Sequence, residues 1–276
     1  METEHLALAR RIAGLFAPLP QVEAVALGGS RGGGGVAWDA ASDIDIYVYT
    51  RGDIPLEVRR EIVEASGGAT RADLGLAYWG PGDEWYHAPT GIEVDVAYFD
   101  AAWMEEQLAR VLVRHEASLG YTTSFWHTVR SSIRLHDPRG WFAGFQERAA
   151  VAYPEELRRA IVALNHPVLR AVIPAYAHQL EKAAARGDLV SVNHRLAALL
   201  ASYFDIVFAV NRVPHPGEKR LLQAAVQSCP QLPVGMAVDL AEILETATTD
   251  LAGLPGRVTR LLDRLDALLR EEGLGA

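Results

Sequence analysis

Cysteine is nearly absent from this sequence, with Cys229 alone among 276 residues. An internal disulfide is therefore excluded, and the cytoplasm is the expected location. No apolar run approaches the roughly 18–20 residues that a membrane helix needs. The amphipathic opening stretch, to Pro18, lacks the charged-then-apolar order of a signal peptide. The nine histidines show neither H-E-x-x-H nor any other zinc spacing. No serine sits in a G-x-S-x-G elbow, and there is no G-x-x-x-x-G-K-[ST] run, which excludes a P-loop. A membrane partner is not expected.

Lysine is scarce as well. Lys182 and Lys219 stand against twenty-four arginines. The net charge is −9, and it is unevenly spread. Residues 1–100 carry sixteen acidic side chains and seven arginines; residues 101–276 carry nineteen of each sign. All of the excess acid thus lies in the first third. A long DNA or RNA partner calls for a basic stripe and is not expected. Bound cations or a cationic substrate suit the balance, as does a plain solubilising surface.

Half of the residues are hydrophobic, enough for a sizeable core in one large domain or two ordinary ones. The first hundred residues alternate between elements. Leu6 to Leu15 has helical spacing, and Val22 to Leu27 is a short apolar run ending at Gly28-Gly29. Asp43 to Tyr49 alternates strictly with period two, Pro55 to Ala65 reads as a helix, Leu74 to Trp79 as a strand, and Gly91 to Phe99 alternates again. After about Ala101 helical spacing takes over, in 101–117, 155–165, 189–210, 217–227 and 255–272, punctuated by prolines. The expected fold class is α/β (α+β): a small mixed sheet with helices over residues 1–135, followed by an all-helical domain over residues 136–276.

Three features carry the chemistry. Gly28-Gly29-Ser30-Arg31 closes a strand, Asp43-Ile44-Asp45 opens the next, and Asp95 lies within a later one. Residues i and i+2 of a strand share a face. Asp43 and Asp45 therefore share one face, and Ile44, Ile46 and Val48 the other. The same alternation separates Glu93 and Asp95 from Val94 and Val96. If the two strands are neighbours, three carboxylates converge, which is unfavourable unless a cation neutralises them. Mg²⁺ takes oxygen ligands, commonly one or two carboxylates plus substrate phosphates. A Gly-Gly-Ser turn lets backbone N–H groups approach a phosphate without a Cβ in the way. Ser30 and Arg31 can add donors, and a compact ammonium such as Lys219 suits a triphosphate. Each piece alone has a plainer reading: a turn, a solvated strand end, a surface lysine.

Taken together and in this order, Gly28-Gly29-Ser30, Asp43-Ile44-Asp45 and Asp95 resemble the signature of the DNA polymerase β-type nucleotidyltransferase superfamily. The resemblance implies the minimal nucleotidyltransferase fold over roughly residues 1–100. It implies that Asp43 and Asp45 bind two Mg²⁺ ions and that Asp95 completes the site, with ATP as co-substrate. Arg134 to Gly140 resembles a turn that follows this domain in antibiotic-modifying members. Pro216-Gly217-Glu218-Lys219 is similar to a segment of uncharacterised bacterial nucleotidyltransferase-like proteins, whose helical domains are similar to those of aminoglycoside nucleotidyltransferases.

The expected activity is transfer of a nucleoside monophosphate, AMP from ATP, onto a hydroxyl of a small-molecule acceptor such as an aminoglycoside-like compound. The expected site comprises Asp43, Asp45 and Asp95 as metal ligands and catalytic residues, with Gly28, Gly29, Ser30, Arg31 and Lys219 binding the nucleoside triphosphate. Two alternatives stand beside it: AMP transfer to a protein or tRNA, and a nucleotide-binding regulatory module without turnover.

Overall fold

A computed structural model describes residues 4–29 and 43–275. The first elements are α1 (Glu4–Phe16), β1 (Val22–Leu27), β2 (Ile44–Thr50), α2 (Leu56–Ser66), β3 (Ala69–Leu76), β4 (Gly82–His87), β5 (Glu93–Asp100) and α3 (Ala101–Leu112). Then come α4 (Ser124–Ser131), β6 (Ile133–His136), α5 (Trp141–Ala149), α6 (Glu155–Arg170), α7 (Tyr176–Ala185), α8 (Leu189–Val210), α9 (Leu221–Ser228), α10 (Met236–Thr249) and α11 (Leu254–Glu271). This is the expected class, a small mixed sheet with helices followed by a helical region. Among the described residues no helix is long and apolar enough to cross a membrane.

The chain forms two compact units, residues 1–109 with 128–151, and residues 110–127 with 152–276. The cut expected between 135 and 136 falls inside β6, a strand of the first unit. The chain leaves the first unit near the end of α3, returns within α4 and leaves again after α5.

In the first unit six strands run in the order β3-β4-β5-β2-β1-β6. β2 pairs with β5 in parallel, and every other pairing is antiparallel. One face buries Val25, Leu27, Ile44, Ile46, Val48, Val94 and Val96 against α1 and α2, through Leu8, Ile12, Phe16, Ile62 and Val63. β4 escapes a periodicity reading because its core-facing positions are polar at both ends. Asp83 and His87 are buried on either side of Trp85. Asp83 is satisfied there: it accepts from Tyr98 Oη at 2.6 Å, Gly75 N–H at 2.7 Å and Arg59 Nη1 at 3.2 Å. The Leu74–Trp79 strand expected from sequence is shifted to Ala69–Leu76, and Tyr78 and Trp79 stand 81% and 93% exposed in the turn beyond it.

In the second unit α8 packs against α6, α7, α9 and α10. Its last two turns, Tyr203 to Val210, are buried on every side. Asp188 caps its N-terminus by accepting from Ser191 N–H. α6 runs through Pro167 without ending there, with Asn165 buried one turn before the helix closes. Residues 118–123 are bound to this bundle by polar side chains. Gly120 N–H donates to Asn165 Oδ1 at 3.0 Å. Thr122 donates its N–H and its hydroxyl to Asp205, at 3.1 and 2.6 Å. His215 N–H donates to Thr123 Oγ1 at 2.7 Å, and His215 Nδ1 accepts from Gly217 N–H.

Burial pushes the Asp205 carboxyl up to about 7. Burial also pushes the His215 imidazole down to about 4, with His127 adding to the shift. The two groups act oppositely on stability. Between pH 4 and 7 the folded state holds the Asp205 proton that the unfolded chain gives up, so its contribution falls as pH rises. Between pH 6.5 and 4 the unfolded chain protonates a histidine that the folded state keeps neutral, so that contribution falls as pH drops. Urea melts across this range are expected to show Asp205→Asn gaining on wild type as pH rises to 7. His215→Gln is expected to gain on wild type as pH falls to 4. Parallel pH curves for all three proteins would show that neither group is linked to folding.

Candidate functional site

The parallel pairing of β2 and β5 sets Ile44 beside Val94, Asp45 beside Asp95 and Ile46 beside Val96. Directly paired residues lie on one face of a sheet. Asp45 and Asp95 therefore face the same way, opposite to the buried Ile44, Ile46, Val94 and Val96. Asp43 precedes β2 by one residue and falls on the Asp45 face by the same alternation. Glu84 of β4 pairs with Asp95, and Asp73 of β3 pairs with Glu84. Four neighbouring strands thus present a row of acids: Asp73, Glu84, Asp95 and Asp45. At the other end of β2 the same face is closed by rings. Tyr49 stacks on Phe99 and Phe142 at centroid distances of 5.8 and 4.9 Å.

Tyr47 lies between the acids and the rings. Its ring meets Phe99 edge-on at 5.5 Å, and its hydroxyl accepts from Gly29 N–H at 3.3 Å. Burial raises the phenol's pKa above the ordinary range, and the charges of Asp45, Asp95 and Asp43 raise it further, in that order of effect. One hydroxyl thus lies within electrostatic reach of all three carboxylates.

The glycine pair is shaped by these side chains. A Cβ on Gly28 would overlap the Tyr47 ring, and a Cβ on Gly29 would overlap the Asp45 carboxylate. Gly29 also has φ +61°, the left-handed region that costs an L-residue roughly 1–2 kcal/mol. Both backbone donors already have protein partners. Gly28 N–H donates to the Asp45 carbonyl at 2.9 Å, and Gly29 N–H to Tyr47. Gly28 therefore belongs to the sheet ladder as much as to the turn.

The structure brings together Gly28, Gly29, Asp43, Asp45 and Asp95. Ser30 and Arg31 lie outside the described residues. Lys219 belongs to the second unit, exposed in the stretch before α9; the helix expected from Gly217 begins at Leu221. Sequence reasoning missed Tyr47 and Glu84. Tyr47 was within reach of the alternation that marked Asp43 and Asp45, two residues on. Glu84 was not, because its strand went unread.

Among the described residues, no group of three or more His, Cys, Asp or Glu side chains is arranged to hold a metal ion by itself. A pair of facing carboxylates, Asp45 and Asp95, is what Mg²⁺ commonly takes from a protein, the rest of its shell being water and substrate phosphate. The oxygen-only donor set fits Mg²⁺ and is wrong for the softer metals.

A family model described as a domain of unknown function (DUF4037) matches residues 123–221. The match covers less than half of the chain, takes in Asp205, His215 and Lys219, and leaves Asp43, Asp45 and Asp95 outside. A search of curated proteins finds no match. Among solved structures, a nucleotidyltransferase-like protein from Exiguobacterium sibiricum is similar at 13% identity, over 97% of this chain and 75% of that one, with a TM-score of 0.44. That likeness is too remote to say what this chain does.

The packing of Gly28 on Tyr47 has a measurable consequence. Gly28→Ala is expected to cost about 1–3 kcal/mol in urea unfolding, the usual range for overpacking. In the double variant Gly28→Ala/Tyr47→Ala the methyl enters space the ring has left. The two costs are then expected to fall short of additivity by about 1 kcal/mol or more. Additive costs would mean that the ring does not occupy that space.

Proposed function

We propose that the protein is a nucleotidyltransferase that moves a nucleoside monophosphate onto a hydroxyl group. The observation that supports this best is the register of β2 with β5, which sets Asp45 beside Asp95 on the face away from the core, with Asp43 one step back. The glycine pair lies against the same carboxylates. A module that only binds a nucleotide has no need of three carboxylates on one face, whereas metal-assisted transfer uses them as oxygen ligands.

In this reading Asp43, Asp45 and Asp95 hold Mg²⁺ and the triphosphate of ATP. The cation neutralises phosphate charge and lowers the pKa of the attacking oxygen. The residues of the chain do the positioning. Asp45, packed on Gly29, fixes where the triphosphate lies. Asp95 accepts the proton of the acceptor hydroxyl as its oxygen attacks the α-phosphorus, the bond to pyrophosphate breaking in line. Positioning and charge neutralisation supply most of the rate. Ser30 and Arg31, which follow Gly29 in sequence, are proposed as contacts to the triphosphate. The acceptor is proposed to be a small polyhydroxylated cation of the aminoglycoside type, because Glu84 extends the acid row beyond Asp95, Asp73 being paired with Arg71. The same acidity disfavours tRNA as acceptor.

A second reading, a regulatory module that binds nucleotide without turnover, has one observation in its favour. Both glycine N–H groups are already engaged within the protein, so the turn does not present them to a phosphate without rearranging.

Calorimetric titration with ATP, with and without Mg²⁺, tests the proposal. Wild type is expected to bind ATP only with Mg²⁺. Asp45→Asn is expected to lose that binding while unfolding at an equal or slightly higher temperature, since it relieves like-charge repulsion. Metal-independent binding that Asp45→Asn retains would favour the module. Collapse of the fold in Asp45→Asn would make the aspartates structural and sink the reading.

A further inference from the structure

We infer that Tyr47 belongs to the nucleotide site, its hydroxyl being the neutral donor that hydrogen-bonds a phosphate oxygen of the triphosphate beside Asp45 and Asp95. The inference rests on the reading of the preceding subsection. It begins from what the face offers an anion. Along β2 and β5 the residues on it are Asp43, Asp45, Tyr47 and Tyr49, and Glu93, Asp95, Ala97 and Phe99. The carboxylates accept hydrogen bonds and cannot donate at neutral pH. Two hydroxyls remain. That of Tyr49 is buried in the aromatic pack with no partner, which is where a ring needed only for packing comes to rest. That of Tyr47 lies at the acid end of the face.

Three contacts aim it. The ring sits where a Cβ on Gly28 would be. Phe99 meets it edge-on. The oxygen accepts from Gly29 N–H at 3.3 Å, near the long end of the hydrogen-bond range. An accepting oxygen still has its own proton to give. A neutral donor has a use here that a cation would not serve. It contacts phosphate without adding an ion pair with Asp45 or Asp95. The Gly29 contact also links the two halves of the site: the turn and the phosphate are held through one oxygen.

Tyr47→Phe keeps the ring, and with it the packing on Gly28 and Phe99. Thermal unfolding is expected to shift by no more than about 3 °C. The dissociation constant for Mg·ATP, by calorimetry, is expected to rise about tenfold, as for loss of one hydrogen bond to a charged group. Binding of Mn²⁺ alone, followed by electron paramagnetic resonance, is expected to stay within about twofold of wild type, whereas Asp45→Asn loses both. A purely structural tyrosine would move either the melting temperature or neither constant. Wild-type Mg·ATP affinity in Tyr47→Phe, with Asp45→Asn defective, would overturn the inference and leave the proposed function standing. Absence of Mg·ATP binding by wild type would overturn both.

Discussion

The structure depends on one pairing, the parallel alignment of β2 with β5. It is the one parallel contact among the described strands, and a single register serves two purposes. With Ile46 beside Val96 and Ile44 beside Val94 the core face is continuous under α1 and α2. With Asp45 beside Asp95 the opposite face gathers its charge. Because the side-chain period of a strand is two, a slip of one residue would bury the aspartates and expose the valines. The hydrophobic effect therefore aligns the carboxylates: each buried branched side chain contributes about 1.5–3 kcal/mol.

Much of this was legible in residues 43–49 and 91–99, where strict alternation separates acids from branched side chains. The element ends of β1, β2, α8 and α11 lie within a few residues of the sequence expectation. What was not legible has physical causes. β4 hides its period because Asp83 and His87 are buried polar groups, satisfied largely by partners distant in sequence: Arg59 and Tyr98 for Asp83, and Ser66 for His87, with Thr90 beside it. Glu84 was lost with it. β6 has four residues, too few for any period to show, and its loss displaced the domain boundary. Pro167 reads as a helix stop and is not one. α7 and α10 went unread among prolines that mark their flanks.

The helical unit follows a different logic. Its centre, α8, is apolar around its last two turns, and the polar groups admitted there tie down irregular backbone rather than form a pocket. Asp205 takes both donors of Thr122, Asn165 takes Gly120, and His215 meets Thr123. Positive φ at Tyr121, Arg212 and Arg220 falls in these same stretches, where side-chain hydrogen bonds offset the backbone cost. The matched domain of unknown function begins at Thr123 and takes in Asn165, Asp205 and His215 of this arrangement, with Gly120 and Thr122 before it. The match also takes in residues 128–151, which belong to the first unit.

The account stands or falls on where a divalent cation binds. The most direct measurement is an anomalous difference map from crystals grown with Mn²⁺ and a non-hydrolysable ATP analogue. The account predicts a Mn²⁺ peak between the carboxylates of Asp45 and Asp95, with the analogue's phosphates beside Gly29. Bound analogue with its metal elsewhere, and no peak at that pair of strands, would contradict it.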